Sequence, residues 1–213
     1  PPHLQRVVVI SCVLREGDDL KVFSIGEPER TEKEAIQKFH DGLDKYVPQL
    51  VSWNGGGFDL PVLNYRALVN GVTASRFWDQ GEDNRDFKWN NYVSRYHQRH
   101  LDLMDVLAMY QPRNNAPLDD VARIAGFPGK IGVGGAEVWP AYLAGRMAEI
   151  RDYCECDTAN TYLLYLRFQL LRGAFSEKVY LAECKRLRDW AGQQKAPHWR
   201  EFLERLDLQL AQA

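Results

Sequence analysis

Two places in this sequence put residues capable of chemistry at a spacing that lets them act. The first is VSWNGGGFDLPV (51–62): an apolar run ends in Asn54, Gly55, Gly56 and Gly57 follow, and Phe58–Asp59 comes just before Pro61. A turn between a strand's carboxyl end and a helix start is where open α/β sheets place ligands. Consecutive glycines let a bulky ligand lie close to the backbone. The plainer reading is equally physical, with Asp59 as a helix N-cap, Pro61 in the first turn and the glycines a permissive connection. The second place is DYCECDTANTY (152–162), where Tyr153 and Asp157 stand four apart and share one helix face. Its plainer reading is a buried tyrosine beside a solvated aspartate. Two nucleotide signatures are absent: no Gly-Lys-Ser/Thr follows the glycines, and the G-x-G-x-x-G spacing is missing.

Both places in one chain, in this order and about 100 residues apart, carry more than either alone. Asn-x-x-x-Phe-Asp after a strand, then Tyr-x-x-x-Asp on a late helix, resembles the second and third motifs of the tyrosine-containing DEDD 3′→5′ exonucleases. The resemblance is closest to the predicted exonucleases related to the proofreading domain of family-B DNA polymerases. LQRVVVISCVL, VSWNGGGFDLPVLNYRAL, HLDLMDVL, LDDVARIAGFPGK and YCECDTANTYLLYLRF fall where that family carries its blocks, over residues 3 to 173.

The resemblance implies a ribonuclease-H-like α/β fold, a mixed β-sheet flanked by α-helices. It implies hydrolysis of phosphodiester bonds at the 3′ end of single-stranded nucleic acid, DNA being the expectation, with two Mg2+ or Mn2+ ions. Two divalent ions on a carboxylate cluster activate water and neutralise the leaving oxygen, and hard oxygen ligands favour magnesium or manganese over zinc. By resemblance Asp157 is a direct metal ligand, Asp59 binds or orients the second ion, and Tyr153 positions the attacking water. Asn54, Gly55, Gly56, Gly57 and Phe58 would receive the terminal nucleotide, with Phe58 as a plain core residue the competing reading. Asp102 is expected as a supporting residue, and Lys130, after the Gly-Phe-Pro-Gly turn, either meets a phosphate or is simply solvated.

The family's first motif, Asp-x-Glu on a central strand, is not in this sequence, since Asp18–Asp19 belong to a hairpin turn. By resemblance RVVVISCVL corresponds to the strand after it. The expectation is that the chain starts downstream of the true beginning or omits residues, and that as written it holds half a metal site. Two rival functions stay open. One is a catalytically inactive nucleic-acid-binding module of the same fold. The other is a nucleotide-binding protein that uses the glycine turn as a phosphate nest.

The elements that must position these residues follow from local patterning. RVVVISCVL (6–14) and LKVFSI (20–25) around EGDD predict a hairpin. Thr31 with Glu34 is a capping box opening a helix over 31–46, with Ile36, Phe39 and Leu43 on its apolar face. QLVSW (49–53) predicts a short buried strand, LPVLNYRALVNG (60–71) a helix closed by Gly71, and HLDLMDVL (100–107) a strand running into a helix. Residues 118–127 and 139–171 read as helical with breaks at Pro140 and Gly145, and the tail from Phe175 as two amphipathic helices separated near Pro197. The domain reading is an exonuclease domain over 1–174 and a C-terminal helical extension over 175–213 packed on it.

Composition narrows the partners. With net charge −2, binding to nucleic acid needs a local patch or metals rather than an overall field. FKWNNYVSRYHQRH (87–100) is such a patch, with three cations, four aromatics and no carboxylate, a composition suited to single strands or else to a packed loop with solvated charges. His97 and His100 would chelate a metal only if helical. No apolar stretch nears the ~18 residues of a membrane span, no signal peptide is read, and four cysteines without disulfide spacing point to the cytoplasm. Leu203, Leu206 and Leu210 form a stripe that packs on the domain or on a second copy, so a protein partner or homodimer stays open.

Overall fold

The computed structural model describes residues 1–210, with side chains as far as Asp207. The chain divides into two compact units, residues 1–10 with 25–115, and residues 11–24 with those from 116 onward. The expected hairpin forms from β1 (Val9–Glu16) and β2 (Asp19–Gly26), turning at Gly17 with φ 53°.

The first unit is built around α1 (Glu32–Tyr46). Its capping box is complete: Thr31 Oγ1 accepts from the Glu34 N–H, and Glu34 reaches back to the Thr31 N–H at 2.8 Å. Ile36 and Leu43 are buried as the helical period requires, each removing about 1.5–3 kcal/mol of apolar surface from water. Ile36 packs with Val7, Val62, Leu63 and Ala67, while Leu43 packs with Phe77, Phe87 and Tyr92. Glu32 is buried and held by both guanidinium arms of Arg66 at 2.7 and 2.6 Å and by the Val7 N–H at 2.8 Å.

After α1 come β3 (Leu50–Ser52), α2 (Asp59–Asn70), α3 (Ser75–Trp78), β4 (His100–Asp102) and α4 (Leu103–Leu107). Gly71 ends α2 at φ 61°, the left-handed conformation a helix terminus favours. β3 runs parallel to β4 with Leu50, Val51 and Ser52 opposite His100, Leu101 and Asp102. That register matters below, because it sets two polar side chains of β4 under the turn that leaves β3. Among the described residues the strands form two two-stranded ladders, the hairpin and this parallel pair, rather than one continuous sheet.

Apart from its share of the hairpin, the second unit is helical: α5 (Leu118–Ile124), α6 (Val138–Leu143), α7 (Met147–Leu171), α8 (Glu177–Gly192) and α9 (Pro197–Leu210). Gly145, at φ 72°, separates α6 from α7 as expected. Pro140 does not break the chain; it lies in the first turn of α6, where its missing N–H would have had no helical partner. Ser176 caps α8, and Pro197 is the first residue of α9. Trp199 packs edge-on to Trp190 and Phe202 at 5.0 and 5.5 Å between ring centroids, and His198 lies buried between Asp152 and Glu155 of α7, 3.0 Å from each. Leu206 is buried and Leu203 half-buried; the side chain of Leu210 lies outside the described residues. Asn160 of α7, also buried, bonds to both backbone groups of Gly129.

Candidate active-site elements

In the first unit the glycine turn is folded onto β4. Asp102 is 8% exposed, and its two oxygens accept from the N–H groups of Asn54 and Gly56, each at 2.9 Å. Ser52 Oγ lies 2.8 Å from His100 Nε2, tying the other β4 side chain to the end of β3. Burial pushes the His100 imidazole below its ordinary value, against the pull of Asp102 and Asp105. Asn54 takes φ 63°, a left-handed conformation that asparagine tolerates.

The need for glycine here is close approach. A Cβ on Gly55 would sit 2.5 Å from the Ser52 Cβ, and one on Gly57 would collide with the Asn54 carboxamide. The Gly57 and Phe58 N–H groups both point to the Asn54 carbonyl, at 3.1 and 2.9 Å. With those amides and the Asn54 and Gly56 amides directed inward, and a carboxylate beneath them, the turn is no phosphate nest. The third reading of the sequence is corrected on this point.

Asp59 is the first residue of α2 and is exposed, while Phe58 occupies the N-cap without a side-chain bond, so the plain N-cap reading of Asp59 does not hold. Phe58 is 45% exposed. That corrects the core reading of Phe58: the three-glycine turn projects it rather than packing it.

In the second unit Tyr153 and Asp157 share one face of α7, as their spacing predicts, and the tyrosine side chain is hydrogen-bonded to the Asp157 carboxylate. Burial pushes the Asp157 carboxyl up to about 6, against that bond and the charge of Lys130, with Asp119 adding to the rise. Lys130 has its ammonium 5.7 Å from the Tyr153 ring centroid. Its backbone is fixed on both sides: the N–H donates to Asp119 at 2.6 Å and the carbonyl accepts from Arg205 at 2.9 Å. Lys130 is thus drawn into the Tyr153–Asp157 group rather than solvated alone. Asp119, which both anchors Lys130 and acts on Asp157, carries no sequence signal that singles it out from the neighbouring Asp120.

The basic aromatic segment divides. Phe87 and Tyr92 are core, with the Arg99 guanidinium over them at 4.1 and 5.6 Å from their ring centroids. Trp89 and Tyr96 are exposed. His97 and His100 are not a chelating pair: neither is helical, His97 Nδ1 accepts from the Asn91 N–H at 3.1 Å, and His100 faces Ser52. Asp105 pairs with Arg95 at 2.8 Å.

Carboxylate oxygens of Asp59 and Asp157 are the right donors for a hard divalent cation. Among the described residues, though, no group of three or more His, Cys, Asp or Glu side chains is placed to hold a metal ion. The residues present therefore do not complete a two-metal centre. Among the same residues no helix is long and apolar enough to cross a membrane.

A family model described as "Predicted 3'-5' exonuclease related to the exonuclease domain of PolB" matches residues 1–206. No curated protein matches the chain.

Proposed function

The chain belongs to this family of predicted 3′-5′ exonucleases, and on that premise we propose that it removes nucleotides from the 3′ end of single-stranded nucleic acid, DNA in the first place. Its fold is the α/β, ribonuclease-H-like one that the family implies. The observation that carries the proposal is the grouping of Tyr153, Asp157 and Lys130 around one face of α7. Asp157 ionises above about 6 and then offers oxygen donors to a cation. The Tyr153 hydroxyl, a phenol and so a weak base, orients a water by hydrogen bonding rather than removing its proton. The Lys130 ammonium is a point charge suited to a phosphate oxygen. Asp59 and the exposed Phe58, at the glycine turn, are assigned to a second ligand position and to the terminal nucleotide, with Asn54, Gly55, Gly56 and Gly57 shaping that turn. Two Mg2+ or Mn2+ ions are what the family resemblance implies; Asp157 and Asp59 would be two of their ligands, and only a centre completed by further carboxylates would supply water activation and charge neutralisation. Cysteine usage favours a cytoplasmic setting.

The rival reading is a catalytically inactive nucleic-acid-binding module of the same fold, which would hold the strand without cleaving it. One experiment separates the two: a 5′-labelled single-stranded oligonucleotide incubated with manganese, beside Asp157→Ala and an EDTA control. Shortening from the 3′ end, stopped by EDTA and absent in the variant, supports the nuclease. An intact substrate with a folded protein leaves the binding module.

A further inference from the structure

The loop from Asn90 to Gln98 is closed on itself by side-chain bonds to its own backbone. Asn90 Oδ1 accepts from the Gln98 N–H at 3.0 Å, and the Asn90 carbonyl accepts from Arg99 Nε at 2.6 Å. The buried Asn91 donates to the Phe87 carbonyl and accepts from the Val93 and Ser94 N–H groups. Beneath it, Phe87 and Tyr92 are core. A loop so fixed has no packing reason to display large rings, yet Trp89 just before it is 76% exposed and Tyr96 within it is 73% exposed.

Each exposed ring has a cation beside it. Lys88 Nζ lies 5.1 Å from the Trp89 ring centroid. The Arg95 guanidinium lies 5.1 Å from the Tyr110 centroid and 6.0 Å from that of Tyr96, and the two tyrosines meet edge-on at 5.6 Å. Asp105 pairs with Arg95 at 2.8 Å, and a guanidinium has further donors available. Met109 and Tyr110 both sit at positive φ, 54° and 59°, so the backbone is held in an uncommon conformation where it presents Tyr110.

We propose that this surface, formed by Lys88, Trp89, Arg95, Tyr96 and Tyr110, is a binding platform for single-stranded nucleic acid, taking bases on the exposed rings and phosphates on the adjacent cations. Compact loops of this size often carry function. Rings alternating with cations match the alternation of base and phosphate along a strand. The identity of the ligand rests on the exonuclease reading; the platform itself is tested without catalysis.

The test is fluorescence anisotropy of a 5′-labelled oligothymidylate in EDTA, where nothing is cleaved, titrated with the full chain, Trp89→Ala, Tyr96→Ala, Trp89→Phe and Lys88→Gln. Because both rings are exposed, unfolding midpoints should not move. Loss of either ring should weaken binding about 5- to 150-fold, with phenylalanine at 89 restoring most of it. Lys88→Gln should make the dependence on log salt shallower by about 0.7. Unchanged affinity in Trp89→Ala and Tyr96→Ala, or no binding by the parent chain, overturns the platform, as a surface serving a protein partner would give. Ring-dependent binding without cleavage in manganese sinks the nuclease reading alone and leaves the platform standing.

Discussion

Asp102 in the first unit and Asp157 in the second are both carboxylates largely withdrawn from water, and their surroundings treat them in opposite ways. Asp102 has a backbone N–H on each oxygen, so its charge is matched by donors fixed in the turn it supports. Asp157 has the Tyr153 side chain and the charge of Lys130, and these do not offset its burial; its proton affinity rises to about 6. A carboxylate matched by rigid amides is scaffolding. One held at a cost in desolvation, beside a phenol and an ammonium, is the kind of group that functional sites keep. The two aspartates are alike in the sequence and differ only in what the fold brings to them.

Substitution should separate them by sign as well as size. Asp102→Ala leaves the Asn54 and Gly56 amides without their acceptor, and urea unfolding should show a loss of about 3 kcal/mol. An unchanged midpoint would mean the turn holds itself. Asp157→Asn should move the other way. The folded carboxyl binds its proton more tightly than the ordinary value of 3.8, so its contribution is intact below that value and is lost as pH rises through about 6. In metal-free buffer near pH ~8, asparagine should therefore stabilise the chain by on the order of 2 kcal/mol, and the gain should vanish by about pH 3. Equal midpoints for the two proteins at alkaline pH would refute the contrast.

Gly55→Ala should cost about 1–2 kcal/mol, because the new methyl must push Ser52 away from His100. Adding Ser52→Gly should recover part of that loss in thermal unfolding. The smallest effect is expected from Tyr153→Phe, below about 1 kcal/mol in stability. It should nevertheless raise the Asp157 pKa further, because the lost bond favours the charged form; carbon NMR of the carboxyl would read the direction.

What the sequence made legible was whatever depends on neighbours a few residues away. Thr31 and Glu34 announce their helix, Gly71 closes the next, and Tyr153 with Asp157 share a face because four residues make about one helical turn. The resemblance of the two motifs to an exonuclease family was readable for the same reason. The role of Asp102 was visible only in outline, since its partners Asn54 and Gly56 lie 48 and 46 residues away and depend on the register of β3 against β4. The sequence left Phe58 between the terminal nucleotide and the core, because apolar character says nothing about direction when a glycine turn aims the chain outward. In the 87–100 segment composition could not tell Phe87 and Tyr92 from Trp89 and Tyr96. One pair lies in the core and the other in solvent, a division made by the Asn90 and Asn91 bonds.

Asn160 gives α7 the function of a ruler. Its carboxamide turns one acceptor and one donor toward Gly129, as a peptide unit would, and pairs with it at 3.0 and 2.8 Å much as a strand neighbour does. The next residue after that latch is Lys130, and three residues before Asn160 is Asp157. The lysine's backbone is therefore indexed to the aspartate by a fixed stretch of helix, about 4.5 Å along the axis. A single residue inserted between Asp157 and Asn160 would swing the latch by roughly 100° around α7. Lys130 would go with it, and the site would come apart with each of its reactive groups still in the chain.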